Sequence, residues 1–98
     1  MEVEFHPDAE TEFLEASQRY ESRVSGLGDR FIDELEDLEQ LLLRQPRIGA
    51  HIGGPFRRFV FRTFPFSLMY AIEETRIWVI AVAHQSKRPG YWRVRHDR

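Results

Sequence analysis

Five side chains in the second half of the chain are of types that could perform or support proton-transfer chemistry. The candidate catalytic residues are His84, Arg58, Arg62, Arg88 and Tyr91. Histidine and tyrosine can act as a general acid or base, whereas arginine, with a pKa above about 12, supplies positive charge instead. Among the groups that could carry a proton, which also include His51 and Glu73, His84 is the best placed because it follows a predicted strand directly. The set suits a reaction at an anionic centre.

These residues also have structural interpretations. His84, at a strand end, could be hydrogen-bonded to the backbone, and Arg58 and Arg62 could form ion pairs with acidic helices. Tyr91 and Trp92 could stack on a base or a partner, but large aromatic side chains near a terminus more often pack against the end of a sheet. Packing is therefore the expected role of both rings.

The residues needed for several other chemistries are absent or badly spaced. The chain has no cysteine, which excludes disulfides, thiolate metal sites and a cysteine nucleophile, and which fits a reducing cytoplasm. The four histidines lack the close spacing of a zinc site, and the glycines between residues 49 and 54 do not form a phosphate loop. No nucleophile elbow is present. We expect neither a metal nor a cofactor.

Charge is divided unevenly along the chain, although the formal net charge is only -2. Residues 1–45 carry 13 acids against four arginines, and residues 46–98 carry ten cations against three acids. Such asymmetry indicates either an anionic partner for the basic half or mutual neutralisation within one fold. The candidate partner-binding residues are Arg57, Arg58, Arg62, Lys87, Arg88, Trp92, Arg93 and Arg95.

The length of 98 residues predicts a single domain that spans residues 1–98. The N-terminus has neither the basic nor the apolar region of a signal peptide, and the longest apolar run, residues 77–83, is far shorter than a membrane span. We therefore expect a cytoplasmic protein that does not enter a membrane.

Apolar periodicity predicts a strand followed by two helices. Residues 2–5 alternate in polarity, as in a half-buried strand with Val3 and Phe5 inward. Pro7 begins a helix of about residues 7–24, whose apolar stripe is Ala9, Phe13, Ala16, Tyr20 and Val24. A second helix of about residues 28–44 ends before Pro46. The short connection predicts an antiparallel hairpin packed on a sheet.

The second half reads as three strands after a loop at residues 48–55. The first, residues 56–62, places Phe59 and Phe61 on one face and Arg58, Val60 and Arg62 on the other. In the second, Phe66, Leu68, Tyr70 and Ile72 share a face. Residues 73–76 form a hairpin connection to an apolar central strand, residues 77–83.

A period of two along this last strand places His84 on the same face as Trp78, Ile80 and Val82. The tail after His84 is rich in cations and aromatic residues, and we expect it to fold back as a turn or short helix. The elements together predict an α+β fold: an N-terminal strand, an antiparallel two-helix hairpin, a three-stranded antiparallel sheet and a short C-terminal tail.

Ordered segments of the chain resemble the RelE/ParE superfamily of toxins from type II toxin-antitoxin systems. The segments are residues 5–9 (FHPDA), 58–60 (RFV), 64–70 (FPFSLMY), 79–84 (VIAVAH) and 88–92 (RPGYW). The resemblance covers nearly the whole chain and implies a toxin that a cognate antitoxin neutralises. It also allows a homodimer within a toxin-antitoxin complex.

Members of the superfamily divide into RelE-like ribosome-dependent mRNA endonucleases and ParE-like inhibitors of DNA gyrase. A RelE-like enzyme would use the five candidate catalytic residues, with Tyr91 as an auxiliary group. The RelE-like branch commonly has lysine in its cationic cluster, whereas this chain has a single lysine, Lys87, in the tail. The leading hypothesis is therefore a ParE-like toxin that acts by binding gyrase; the alternatives are the endonuclease, with ribosome and mRNA as partners, and a non-toxic partner-binding domain.

Overall fold

A computed structural model describes residues 1–96 and contains two α-helices, five strands and a short 3-10 helix, the tail helix. In chain order these are β1 (Glu2–Phe5), α1 (Pro7–Arg23), α2 (Leu27–Arg44), β2 (Ala50–His51), β3 (Phe56–Val60), β4 (Phe66–Ile72), β5 (Arg76–His84) and the tail helix (Tyr91–Arg95). Asp97 and Arg98, which the charge count includes, lie outside the described residues. No described helix has the length and apolar character of a membrane span.

All five strands form one sheet in the order β1-β5-β4-β3-β2. The predicted three antiparallel strands are its centre, β1 pairs in parallel with β5, and β2 pairs antiparallel with β3. The α+β prediction is confirmed, but the sheet has two more strands than the expected three. The segment 48–55, predicted as loop, contains β2, and a two-residue strand is too short to leave a periodic pattern.

The first helix begins where the sequence predicts. The Nδ1 atom of His6 accepts a hydrogen bond from the backbone N–H of Asp8, which caps the helix, and Pro7 is the first helical residue. Ala9 and Ala16 are buried against the core, and Phe13 and Tyr20 are half-buried. Val24 was predicted wrongly as part of this stripe, because the helix ends at Arg23 and leaves Val24 exposed.

The connection between the helices is tight. Gly26 has a φ of 87°, and both carboxylate oxygens of Glu21 accept hydrogen bonds from the backbone N–H groups of Gly26 and Gly28. A Cβ on Gly28 would lie 2.5 Å from the carbonyl oxygen of Ser17, so only glycine allows the helices to approach this closely. These contacts turn the chain back and make the hairpin.

The main core lies between the helical hairpin and one face of the sheet, which we call the helix side. Phe31 of α2 is fully buried at its centre, with ring centroids 5.3 Å from Phe61, 5.1 Å from Phe64 and 5.0 Å from Phe66. The hydroxyl of the buried Tyr70 donates to the carbonyl of Pro46 at 2.7 Å. This bond fixes the segment that follows α2 to the sheet.

An irregularity between Met69 and Tyr70 changes the faces of β5. Tyr70 lies opposite Val79 and Met69 lies opposite Ala81, so Ile80 is an extra residue. His84 pairs with Phe66 on the helix side, and Val82 packs in the core on that side. Trp78 pairs with Ala71, which packs with Ile80 on the outer side. The prediction that His84 shares a face with Trp78 and Ile80 is wrong, because strict alternation does not survive a bulge.

The outer face of the sheet is covered in part by the tail helix. Trp92 is 3% exposed, and its ring centroid lies 4.9 Å from that of Phe56. Ala71, Ile80, Ala81 and Ala83 complete this smaller apolar cluster. The predictions that the tail folds back and that Trp92 packs against the sheet are confirmed.

The third strand ends earlier than predicted, at Val60 rather than Arg62. The carboxylate of Glu34, which is 8% exposed, accepts hydrogen bonds from the backbone N–H groups of Arg62 and Thr63. Phe61 still enters the main core, but these bonds take the chain out of the sheet. Helix α2 therefore contacts the backbone of Arg62, and among residues 1–96 neither Arg58 nor Arg62 forms the predicted ion pair with a helix.

Replacement of Glu34 by alanine should lower the free energy of unfolding by about 2 kcal/mol, because two backbone N–H groups in a partly buried site lose a charged acceptor. Glu34→Gln keeps an oxygen acceptor and should lose less. Urea unfolding measures both effects, and Glu36→Ala, an exposed change on the same helix, should stay within about 0.5 kcal/mol of the parent. Equal losses for Glu34→Ala and Glu36→Ala would contradict the bonding role of Glu34.

Candidate functional site

A groove of about 290 Å³ lies between the outer face of the sheet and the chain that leads into the tail helix; we call it the tail groove. Its cationic lining is Arg58 of β3, Lys87 and Arg88 of the turn after β5, and Arg93 of the tail helix. Met69 and Ile52 contribute apolar surface. The arrangement gives a small, positively charged concavity suited to an anionic group.

His84 is oriented by the turn that follows it. Its Nδ1 atom accepts a hydrogen bond from the backbone N–H of Ser86 at 3.0 Å and lies 2.8 Å from the Ser86 hydroxyl. Because a backbone N–H only donates, Nδ1 is the acceptor, and the proton of the neutral ring lies on Nε2. The ring packs edge-on against Phe66 at 5.0 Å. His84 thus has the predicted backbone bond, and Nε2 is its remaining donor. Its ring lies on the helix side against Phe66, and the residue also borders the tail groove.

The carboxylate of Glu12 joins α1, β5 and the tail helix in an arrangement that we call the Glu12 clamp. It accepts hydrogen bonds from the Tyr91 hydroxyl at 2.5 Å, from both terminal nitrogens of Arg95 at 2.9 and 3.0 Å, and from the backbone N–H of Val82 at 3.0 Å. The Arg95 side chain is 12% exposed and also lies near Asp8. Tyr91 and Arg95 therefore hold the tail in place.

This clamp changes the chemistry available to Tyr91. Burial raises the pKa of its phenol, and the hydrogen bond to the Glu12 carboxylate raises the pKa further. The phenol therefore stays protonated, with its hydrogen donated to Glu12, and it is a poor acid for a reacting group.

Some of the remaining candidates are held by contacts within the chain, and others stay accessible to a partner. The guanidinium of Arg57 donates to the backbone carbonyls of Arg47 and Gly49, and Arg95 and Trp92 are occupied by the clamp and the outer cluster. Arg93 lies over the ring of Trp92 at 4.6 Å and donates to the carbonyl of Ile52, yet still lines the tail groove. Arg62 is exposed and lies outside the groove.

Sequence reasoning missed the most connected residue of the site, Glu12. In the sequence it is one of three acids near the start of α1, where the helix dipole alone accounts for negative charge. Its position one turn before the buried Ala16 was the available signal, since it places the carboxylate beside the core. Within residues 1–96, no group of three potential metal ligands comes together.

Tyr91→Phe should lower the free energy of unfolding by about 1 kcal/mol near neutral pH, because the phenol loses its bond to Glu12. The raised pKa means that the folded state holds the phenolic proton more tightly than the unfolded state, so this stabilisation is present below about pH 10 and declines above it. Urea unfolding between about pH 8 and about pH 11 should show the gap between parent and variant narrowing. A constant gap would contradict the clamp.

Comparison with known proteins identifies the family. The sequence model described as the ParE toxin of the type II toxin-antitoxin system parDE matches residues 3–89. A solved structure titled "Chromosomal ParDE TA system from P. aeruginosa" has a similar fold, with a TM-score of 0.63 at 10% sequence identity, covering 86% of this chain and 95% of that one. No curated protein matches. The resemblance found in the sequence is confirmed: the chain belongs to the ParE toxin family of type II toxin-antitoxin systems.

Proposed function

We propose that this toxin acts by binding a protein target, DNA gyrase, and that a cognate antitoxin neutralises it. The observation that carries the proposal is the Glu12 clamp, which removes Tyr91 from proton transfer. Of the five candidate catalytic residues, Arg62 lies outside the tail groove, and Arg58 and Arg88 cannot exchange protons near neutral pH. His84 is then the one proton-transfer group left among the five, whereas cleavage of a phosphodiester needs both a base and an acid.

The tail groove supports binding as the mode of action. Arg58, Lys87 and Arg88 are largely exposed, and guanidinium groups bind carboxylates through two parallel hydrogen bonds. The groove therefore suits an acidic segment of a partner protein. Between the two surfaces that the sequence leaves open for the antitoxin, the Arg-rich sheet face and the helical hairpin, charge favours the sheet face because the hairpin is itself acidic.

One observation favours the endonuclease as a second candidate. His84, Arg58 and Arg88 line the same groove although β3 and the turn after β5 are distant in the chain. This combination could bind a phosphate and supply one proton-transfer group. Gyrase inhibition and mRNA cleavage damage different targets, so the effects of expressing the protein in cells distinguish the two functions.

Induction from a tightly controlled promoter should produce gyrase-dependent DNA breakage and the DNA-damage response, while transcripts remain intact. Supercoiling assays with purified gyrase and mapping of transcript ends during translation are the measurements. Cut transcripts with unchanged supercoiling would replace the gyrase proposal by the endonuclease. Normal growth in several hosts would contradict toxicity itself and favour a domain that only binds a partner.

His84→Ala should keep gyrase inhibition within about twofold of the parent, because a binding surface does not depend on one proton-transfer group. An endonuclease would instead lose about a hundredfold or more in rate. His51→Ala is the matched control, since His51 is exposed and lies outside the tail groove. Circular dichroism of each variant verifies that it folds.

The antitoxin should bind in the tail groove, where the cations of the groove contact it. The double variant Arg58→Gln/Arg88→Gln should bind the product of an adjacent antitoxin reading frame about tenfold more weakly, with a smaller dependence on salt. The control Arg30→Gln/Arg44→Gln removes two exposed arginines from α2. Calorimetry measures both affinities; equal losses in the two double variants would place the antitoxin elsewhere.

A further inference from the structure

A second concavity, of about 400 Å³, lies on the helix side of the sheet, between the second half of α1 and the edge where β4 begins and β5 ends. We call it the α1 pocket. Arg19 and Arg23 of α1 line it on one side and Lys87 on the other, and Arg62 and Arg88 do not contribute to it. The volume is within the range of small-molecule sites.

The cations of the α1 pocket lack carboxylate partners. Among residues 1–96, none of Arg19, Arg23 and Lys87 forms an ion pair. Arg19 and Arg23 are four residues apart on one helix face, where like charges destabilise a helix slightly. Burial raises the pKa of Tyr20, while Arg23 and Arg19 lower it, so both guanidinium groups lie near the phenol. Three positive charges are thus gathered here with no carboxylate in ion-pair contact among the described residues.

The acids that line this pocket do not neutralise it. Glu12 is fully engaged by Tyr91, Arg95 and the backbone of Val82. Glu15 is exposed and forms no ion pair within the described part of the chain. Three cations therefore face a single free carboxylate.

The rest of the lining is apolar or can hydrogen-bond. Ala16, Phe66 and Val82 are buried and form the floor, and Tyr20 adds a half-buried ring. Ser86 and His84 stand beside Lys87, with a hydroxyl oxygen and an Nε2 donor. A ligand that fits this lining carries an anionic group at one end and an apolar or aromatic body at the other.

We propose that the α1 pocket binds a small phosphate ester, whose phosphate lies among Arg19, Arg23 and Lys87 and whose organic part covers Ala16, Tyr20, Phe66 and Val82. Arginine pairs with phosphate oxygens through its planar group of N–H donors, and the lysine adds a point charge. Lys87 and His84 line both concavities, whereas Arg19 and Arg23 line the α1 pocket and not the tail groove. Changes at these two arginines therefore test this site without altering the cations proposed to bind gyrase or the antitoxin.

Titration of the full chain with adenosine monophosphate (AMP), followed by amide chemical shifts and calorimetry, tests this site. AMP should bind saturably, more tightly than either inorganic phosphate or adenosine, and should shift amides of Ala16, Tyr20, Val82 and Ser86. Binding should weaken between about 50 mM and about 300 mM salt. Absence of saturation, or equal affinity for AMP and inorganic phosphate, would overturn the proposal.

Arg19→Gln/Arg23→Gln should weaken AMP binding at least about tenfold, since two charged contacts to the phosphate are lost. Both arginines are exposed, so the fold should be unaffected, as thermal unfolding can verify. Arg30→Gln/Arg44→Gln, with the same change in net charge, should remain within about twofold. If the two double variants bind AMP equally, the attraction is a general effect of net charge and the site does not exist.

Discussion

The carboxylate of Glu12 joins three elements that are far apart in the chain. It receives hydrogen bonds from the tail helix through Tyr91 and Arg95 and from β5 through the backbone of Val82. A charge taken out of water is costly unless its partners replace the lost hydration, and here its partners include a guanidinium. Arg95 in turn donates to the carbonyl of Ile80. The position of the tail, and hence the tail groove, depends on this one carboxylate.

The Glu12 clamp and the burial of β5 on both faces together hold the tail helix against the sheet. The bulge at Ile80 lets β5 place Val79 and Val82 in the main core while Ile80 and Ala81 pack under Trp92. A sheet covered on one face alone would leave Phe56 and Ala83 in water. The tail helix prevents this, so the chain after β5 is part of the fold as well as a wall of the groove.

Much of this structure follows from sequence patterns, and the exceptions have physical causes. Long amphipathic runs predict both helices, because an apolar stripe must face a core. Strand β2, with two residues, is too short to show alternating polarity. The bulge in β5 interrupts the alternation of faces, so it could not be predicted from that alternation either. The cations of the tail groove were predicted as residue types, but Arg57 and Arg95 proved to bond within the chain. Such contacts depend on three-dimensional neighbours that spacing does not reveal.

The opposed charges of the two halves are only partly used within the fold. Among residues 46–96, Arg76 and Arg95 alone form ion pairs with acids of the first half, through Glu4 and through Asp8 and Glu12. Only a minority of the cations in the second half are therefore neutralised by ion pairs with the first half. Arg58, Lys87 and Arg88 face solvent beside the tail groove. A surface with separated charges attracts and orients an acidic partner before contact. The near-zero net charge is thus compatible with a strongly polar binding face, because the acids that offset it lie largely on the helices.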